Sequence, residues 1–338
     1  MQSKISAQYA YSTKRSRKDT LATNVCGWLR AMENGDAVGL YCSDVSGAFD
    51  RVRRSRLLRK LELCGLPASV VSFLASWLEN RRFVVVVDGQ FSSERVLANS
   101  VFQGTVLGPP LWNLFYADAC FSARDLSFIE VVFADDFNCW RAFSSLSSNI
   151  EISEECTKCQ EALHIWGEAN SVKFDPGKES FHILHRTRGQ GNDFKLLGLV
   201  FDVGLRMGSA ISELAREAGW RLQAVLRPRR FFSRRQTMNL YKSQVMSYLE
   251  SGVSGYYHAA PSLLQAIDRI QRRLLRELGI SEKDALCHFA SAPGQSRREI
   301  AMLGFLHRIA MGEVEATIAE LCLFQQKAVE KRPTRLQI

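Results

Sequence analysis

The sequence predicts an α+β fold, in which a mixed region of strands and helices over roughly residues 20–208 precedes an all-helical region over roughly 209–338. The apolar run "AVGLYCSDV" is typical of a buried strand. The stretches "FVVVVDGQFSSERVLANSV" and "IEVVFADDFNCW" predict two β-hairpins. The last third of the chain has a helical pattern with few Gly or Pro residues and many Arg residues.

Turn residues and helix-start residues set the boundaries of these elements. The Asp88-Gly89 dipeptide marks the turn of the first hairpin. Gly65 and Pro67 separate two helices, and the Pro109-Pro110 pair begins another. The remaining predicted elements are helices in "TLATNVCGWLRAMENG", "RSRLLRKLELCG", "PASVVSFLASWLENR", "PPLWNLFYADAC" and residues 150–168, and strands in "SFHILHR" and "FKLLGLVFD".

The charge of the chain favours a polyanionic partner. Its 338 residues carry a formal net charge of +9, and their 46% hydrophobic content is ordinary for a globular protein. Nucleic acid or an acidic membrane surface would suit this excess, although solvated basic side chains would also produce it. Between Arg227 and Arg235, "RPRRFFSRR" interleaves arginines with two aromatics. This favours contact with a phosphate backbone over a solvated helix face whose two Phe side chains enter the core.

The cysteine content and the apolar runs indicate an intracellular protein with no membrane partner. The N-terminal residues contain no apolar segment of the signal-peptide type, and no apolar run reaches the ~20 residues that span a bilayer. The chain contains nine cysteines and no segment of the signal-peptide type, which suggests that the thiols are reduced. Cys156 and Cys159 form a CxxC followed by His164, but no second ligand pair has zinc spacing. The segment also has an amphipathic helical pattern, which we prefer to a zinc site.

Asp135 and Asp136 lie side by side between two apolar runs, where two like charges resist burial. A tight turn between strands would account for the pair, because Asp tolerates turn geometry. A divalent-metal site would account for it as well, since hard oxygen ligands cluster there despite their repulsion. The dipeptide alone leaves both interpretations open.

Asp44 closes the predicted strand, and a carboxylate in that position is costly unless it is paired or bound to a metal. Asp50, further along, is equally well explained as a first-turn acid of the next helix. If Asp44 lies on a strand beside the Asp135-Asp136 hairpin, three carboxylates converge. Such sites hold two divalent ions about 4 Å apart for phosphoryl transfer.

Gln103 and Gly104 lie between the two acidic motifs, just before the Pro-marked helix start. A glycine there lets the backbone approach a ligand closely, and a glutamine can hydrogen-bond a sugar or a base edge. The dipeptide alone is a weak signal, and its position between the acids is what makes it a candidate.

Five motifs follow one another in the order "DVSGAFD", "QGTVLGPPLWN", "FADD", "SVKFDPGKESFHIL" and "LLGLVFD". In order and spacing they resemble the palm of reverse transcriptases of non-LTR, LINE-type retrotransposons, over about residues 8–205. The resemblance implies a polymerase right-hand palm, with an antiparallel sheet and flanking helices, followed by a helical thumb-like region. It divides the chain into a residual fingers segment (1–35), the palm (36–208) and the thumb-like region (209–338).

The resemblance implies an RNA-directed DNA polymerase, a nucleotidyltransferase in which a primer 3′-OH attacks the α-phosphate of a dNTP. Asp44, Asp135 and Asp136 match the family's metal-binding aspartates, with the Val45 carbonyl as a further ligand of two Mg²⁺ ions; Mn²⁺ is the alternative ion. Phe133 stands where the family more often has Tyr.

Further roles are implied for residues around these acids. Phe49 matches the steric gate that selects deoxynucleotides, and Gln103 and Gly104 match the motif that contacts the incoming nucleotide and template. Lys178 matches a lysine thought to protonate pyrophosphate, and a surface lysine in the turn "DPGKES" is the alternative interpretation, which we favour less. Leu197-Gly198 matches the primer-grip hairpin.

The resemblance also sets expectations about partners and activity. RNA template, DNA primer and dNTPs are the implied partners, with the basic thumb contacting the duplex in the nucleus or cytoplasm. "QYAYSTKRSRKDTL" resembles only the tail of the family's fingers region, so we expect a truncated polymerase. The alternatives are a catalytically inactive nucleic-acid-binding remnant and an RNA-directed RNA polymerase, which Phe49 disfavours.

Overall fold

The computed structural model describes residues 7–97 and 99–314. Their centre is an antiparallel sheet of four strands, in the spatial order Ile129–Phe133 (β6), Asp136–Phe143 (β7), Ala37–Asp44 (β1) and Ser180–Leu184 (β8). Every residue of β1 is buried, as expected for a central strand covered on both faces. At the outer edge, Gln8 forms a parallel bridge with Val132 of β6.

Three shorter antiparallel pairs lie outside this sheet. Their strands are Arg82–Phe83 (β2) with Arg95–Val96 (β5), Val86–Val87 (β3) with Gln90–Phe91 (β4), and Phe194–Leu196 (β9) with Leu199–Phe201 (β10). The ribbon of β2–β5 is solvent-exposed along both of its paired segments.

Helices flank the sheet and then make up the rest of the described chain. Those before the last strand are Arg17–Glu33 (α1), Ala48–Arg51 (α2), Arg54–Leu63 (α3), Ala68–Trp77 (α4), Gly108–Tyr116 (α5), Ala119–Arg124 (α6) and Asn149–Asn170 (α7). Those after it are Gly208–Leu226 (α8), Arg234–Tyr241 (α9), Ser247–Glu250 (α10), Val253–Tyr256 (α11), Pro261–Leu278 (α12), Glu282–Phe289 (α13) and Gly294–Ala310 (α14). A π-helical turn over Lys242–Met246 joins α9 to α10.

Two apolar clusters cover the opposite faces of the sheet. Because side chains alternate along β1, Leu40 enters one cluster and Tyr41 the other. The first cluster contains α1, the β9–β10 hairpin and the helices from α8 onward, and the second contains α3 to α7. A Cβ on Gly27 of α1 would lie 2.3 Å from the Trp140 ring, so glycine lets this helix pack directly on the sheet.

The predicted α+β class is confirmed, and so are the predicted helices and the Asp88-Gly89 turn, which joins β3 to β4. One detail of the predicted strands is wrong. "FKLLGLVFD" is not a single strand, because Leu197-Gly198 turns it into the β9–β10 hairpin. The alternative interpretation of "RPRRFFSRR", in which Phe231 and Phe232 enter the core, is also wrong, since their exposed fractions are 72% and 41%.

The cysteines of the CxxC motif are buried on α7, where the sequence pattern predicted a helix. The Cys159 and Cys139 sulfur atoms are 3.2 Å apart, and burial raises the pKa of the Cys156 thiol to about 12. His164 instead lies 2.8 Å from the Glu179 carboxylate. Within residues 7–97 and 99–314, every helix is too short or too polar to cross a membrane.

Candidate active site

The three predicted carboxylates meet at one end of the central sheet. Asp44 is the last residue of β1 and Asp136 the first residue of β7, and the antiparallel register pairs them directly. Asp135 lies in the two-residue turn that joins β6 to β7. The predicted adjacency of the two acidic motifs is therefore confirmed, while their role in metal binding stays a prediction.

The electrostatics of this cluster disfavour full ionisation. Burial, followed by repulsion from Asp44 and Asp135, raises the pKa of the Asp136 carboxyl from 3.8 to about 6. Burial also raises the pKa of Asp135, with repulsion from Asp44 adding to it and Lys178 opposing it. The carboxylates thus lie in a place where additional positive charge would be stabilising.

Lys178 supplies one such charge, because its ammonium group contacts the Asp44 carboxylate. This hydrogen bond, together with the negative charge of Asp44, raises the pKa of Lys178, although the side chain is 61% exposed. The segment that carries Lys178 is fixed to the end of β1. The Asp175 N–H donates to the Asp44 carbonyl at 3.0 Å, and the Ser46 N–H donates to the Lys173 carbonyl at 2.9 Å.

Val45 lies between these two hydrogen bonds and forms a bridge with Phe174. The bonds that flank it use the carbonyl of Asp44 and the N–H of Ser46, and neither uses the Val45 carbonyl. The predicted ligand oxygen is thus not committed to this pairing.

Two clefts open beside the carboxylates. The larger, about 740 Å³, is lined by Asp44, Asp136 and Lys178, and the smaller, about 450 Å³, is lined by Asp135 and Asp136. Leu197-Gly198 lines both clefts. The carboxylates and the β9–β10 turn therefore frame a divided groove.

The Leu197-Gly198 turn is fixed from α1 and from the helical region. Positive φ values of 47° and 80° at its two residues fit a type I′ hairpin turn. The Arg17 guanidinium donates to the Leu197 carbonyl at 2.7 Å and to the Ser251 hydroxyl at 2.8 Å. Arg17 thus connects α1, the hairpin and the chain between α10 and α11.

The other predicted site residues lie outside the two clefts. Phe49 stacks on Trp112 with ring centroids 5.6 Å apart, and Trp112 in turn hydrogen-bonds the acidic turn. Gln103 and Gly104 are exposed in a turn before α5, where Gly104 has a φ of +79°. Neither they nor Phe49 lines the two clefts beside the acids, so their roles toward a nucleotide stay predictions.

Comparison with known proteins decides the family. The family described as reverse transcriptase (RNA-dependent DNA polymerase) matches residues 3–201, which include all three carboxylates. The chain belongs to the reverse transcriptase family. Its resemblance to reverse transcriptases of non-LTR, LINE-type elements is also confirmed, because its relatives come from such elements.

The RNA-directed DNA polymerase from the mobile element jockey of Drosophila melanogaster is 27% identical over 293 residues, covering 80% of this chain and 31% of the relative. The probable RNA-directed DNA polymerase from transposon BS of the same species is 27% identical over 276 residues, covering 74% and 30%. The chain thus spans about a third of the length of these relatives. The apo telomerase of Candida tropicalis aligns over 94% of this chain and 52% of its own, with 11% identity and a TM-score of 0.49.

Reverse transcriptases use divalent metal ions, and the chemistry of the three carboxylates fits such ions. Burial raises the pKa of the Asp135 and Asp136 carboxyls, and repulsion from Asp44 adds to the rise. As placed, no three Asp, Glu, His or Cys side chains within the described ranges are close enough together to hold an ion. Lys178 is the cation that contacts Asp44 in this arrangement.

Sequence reasoning missed three residues that hold this reverse transcriptase site in place: Gln8, Arg17 and Trp112. Gln8 and Trp112 hydrogen-bond the backbone of the acidic turn, and Arg17 holds the Leu197-Gly198 turn. One signal was available, since a two-residue turn that begins with Ala rather than Gly is strained and needs support. The identity of the supporting residues could not be read from spacing, because Gln8 acts across 126 positions of sequence.

Proposed function

We propose that this reverse transcriptase chain is an RNA-directed DNA polymerase that adds deoxynucleotides to a primer 3′-OH. The observation that carries the proposal is the direct pairing of Asp44 with Asp136, with Asp135 in the adjoining turn, beside a cleft large enough for a nucleotide. The names of the relatives from jockey and BS support the same activity.

Under this proposal Asp44, Asp135 and Asp136, with the Val45 carbonyl, hold two Mg²⁺ ions, for which Mn²⁺ is the alternative. When bound, ions of this kind lower the pKa of an attacking hydroxyl and neutralise charge on the transferred phosphate. The protein's contribution is to bring Asp44 and Asp136 to the ends of two paired strands and Asp135 into the adjoining turn, where their side chains would close around the ions on binding.

Lys178 is proposed to protonate the leaving pyrophosphate. A lysine ammonium is protonated at neutral pH, and its contact with Asp44 holds the proton beside the carboxylates. That contact raises the pKa of Lys178, so the ammonium must leave Asp44 before it donates its proton. The exposure of the side chain allows it to move from Asp44 to the substrate.

Phe49 is proposed to exclude ribonucleotides by steric conflict with the 2′-OH. Its stacking on the fully buried Trp112 gives the ring a rigid support. Gln103 and Gly104, exposed in the turn before α5, are proposed to contact the incoming nucleotide and the template. Their exposure supports this role, because it leaves both residues accessible to a ligand.

The domain assignment and the nucleic-acid partners belong to the same proposal. We assign residues 1–35 to a fingers segment, 36–208 to the palm and 209–338 to a thumb that contacts the primer–template duplex. The exposed rings of Phe231 and Phe232 beside several arginines support the duplex contact. Binding through arginine and phosphate should weaken steeply as salt rises.

Primer extension tests the proposal. The purified chain is incubated with poly(rA)/oligo(dT), dTTP and Mg²⁺, beside the Asp135→Ala, Asp136→Ala double variant. We expect extension by the unaltered chain and none by the variant. Binding of the duplex in a salt-sensitive way, with no extension by either protein, would replace the proposal with that of a nucleic-acid-binding remnant.

A further inference from the structure

The turn that carries the catalytic acids contains a strained residue. Ala134 and Asp135 form the two-residue turn between β6 and β7, and Ala134 has a φ of +60°. Positive φ at the first of two turn residues is the pattern of a type II′ turn, which normally has Gly there. A residue with a Cβ keeps this conformation only when its surroundings impose it.

Gln8 provides one part of those surroundings. Its side-chain amide donates to the Ala134 carbonyl at 3.0 Å, and its side-chain oxygen accepts from the Ala134 N–H at 2.9 Å. One side chain therefore binds both backbone polar groups of the strained residue. Gln8 itself is 5% exposed, so these hydrogen bonds face little competition from water.

The segment around Gln8 is fixed to the sheet by its own backbone. The Tyr9 N–H donates to the Val132 carbonyl at 2.9 Å, and the Val132 N–H donates to the Ala7 carbonyl at 2.9 Å. The Asn113 side chain of α5 donates to the Ala10 carbonyl at 3.0 Å. The Gln8 side chain is thus held in position before it meets the turn.

Trp112 of α5 provides the second part. Its indole N–H donates to the Ala134 carbonyl at 2.9 Å, so this oxygen accepts from two side chains. The Trp112 ring also stacks on the ring of Phe49. Trp112 therefore joins the acidic turn to the residue proposed to select the sugar.

We propose that Gln8 and Trp112 form a clamp, here called the Ala134 clamp, that imposes the strained turn and so directs Asp135 and Asp136 toward Asp44. Both are positioning residues, because they act through Ala134 and do not touch the carboxylates. The catalytic consequence rests on the proposed polymerase function, while the effect on the turn does not.

The clamp makes a specific prediction about rescue. Gln8→Met retains an unbranched side chain but loses the hydrogen bonds to Ala134, and we expect kcat for dTMP incorporation to fall by about 10²-fold, as for a misplacement of about 1 Å. Ala134→Gly removes the cost of positive φ. The Gln8→Met, Ala134→Gly double variant should therefore have a kcat at least tenfold higher than that of Gln8→Met alone.

Hydrogen exchange provides a readout that does not depend on activity. In metal-free protein, Gln8→Met should raise amide exchange in residues 129–140 at least tenfold, and Ala134→Gly should reduce that rise. Trp112→Phe, which keeps a ring and loses the N–H donor, should act in the same direction. Gln90→Ala, on the exposed β4 strand, is the matched control and should change neither readout.

Unchanged exchange in residues 129–140 for both Gln8→Met and Trp112→Phe would overturn the clamp. So would a slowed Gln8→Met variant that Ala134→Gly leaves equally slow, since a general folding defect would behave in that way. If the unaltered chain extends no primer, the proposed function fails and hydrogen exchange alone decides on the clamp. If Gln8→Met does not fold, the Trp112→Phe variant decides on the same two readouts.

Discussion

Replacing Asp136 by Asn should make the metal-free protein more stable while removing its activity. The carboxylate of Asp136 is half-buried and is paired directly with Asp44, and its pKa is raised from 3.8 to about 6. Ionisation at neutral pH therefore costs folding free energy, which an isosteric neutral amide avoids. The same charge is required under the proposed function, so stability and activity should change in opposite directions.

The magnitude follows from the pKa. A rise from 3.8 to about 6 corresponds to about 3 kcal/mol of stability lost on ionisation, at 1.36 kcal/mol for each tenfold change in proton affinity. Partial exposure of the side chain screens part of this, so we expect Asp136→Asn to gain about 1–2 kcal/mol at pH 7.5. Below pH 3.8 both folded and unfolded carboxyls are protonated and the gain vanishes; it grows as pH rises and is complete above about 6.

Urea unfolding in EDTA, at pH 4.5 and at pH 7.5, measures this difference. Mg²⁺ added at pH 7.5 should stabilise the unaltered chain more than the variant and so narrow the gap. Asp125→Asn, at an exposed carboxyl after α6, is the control and should stay within about 0.5 kcal/mol of the unaltered chain. An Asp136→Asn variant that is less stable than the unaltered chain at pH 7.5 would refute the electrostatic account.

Three further outcomes are expected. Phe49→Ala should raise the ratio of UTP to dTTP incorporation at least tenfold on poly(rA)/oligo(dT), and an unchanged ratio would remove the gate from this residue. Lys178→Ala should lower kcat by about 10²-fold with a smaller change in KM, as for loss of a general acid, whereas a change below twofold would identify a surface lysine. Arg17→Met should destabilise the chain by about 1–3 kcal/mol in urea, because the Leu197 carbonyl loses its charged donor; a loss confined to 0.3 kcal/mol would contradict that contact.

Local pattern was sufficient for most of the fold. The buried β1 strand, the Asp88-Gly89 turn and α7 each follow from short-range signals that tertiary contacts do not override. The local pattern could not predict that the strands of Asp44 and Asp136 are neighbours, because periodicity does not say which strands pair. The order of the five motifs, through the resemblance to reverse transcriptases, was what led us to expect that these acids lie together.

The missed features depend on contacts between distant parts of the chain. Nothing in the local sequence shows that Gln8 reaches Ala134 or that Arg17 reaches Leu197. The alternative interpretation of "RPRRFFSRR" assumed a regular helix with Phe231 and Phe232 in the core. In the structure a 3₁₀ turn over Arg229–Phe231 interrupts the helix, and both rings are exposed. Tertiary packing decides such positions, and propensity carries little information about them.

The most direct test of the central claim compares two aspartates of one motif under single-turnover conditions. Asp44 is buried and paired with Asp136, whereas Asp50 is exposed in the first turn of α2. We expect Asp44→Asn to slow Mg²⁺-dependent incorporation of one dTMP on an RNA template by more than about 10³-fold, and Asp50→Asn to slow it less than about threefold. Equal rates for the Asp44→Asn variant and the unaltered chain would contradict the assignment of catalysis to the paired carboxylates.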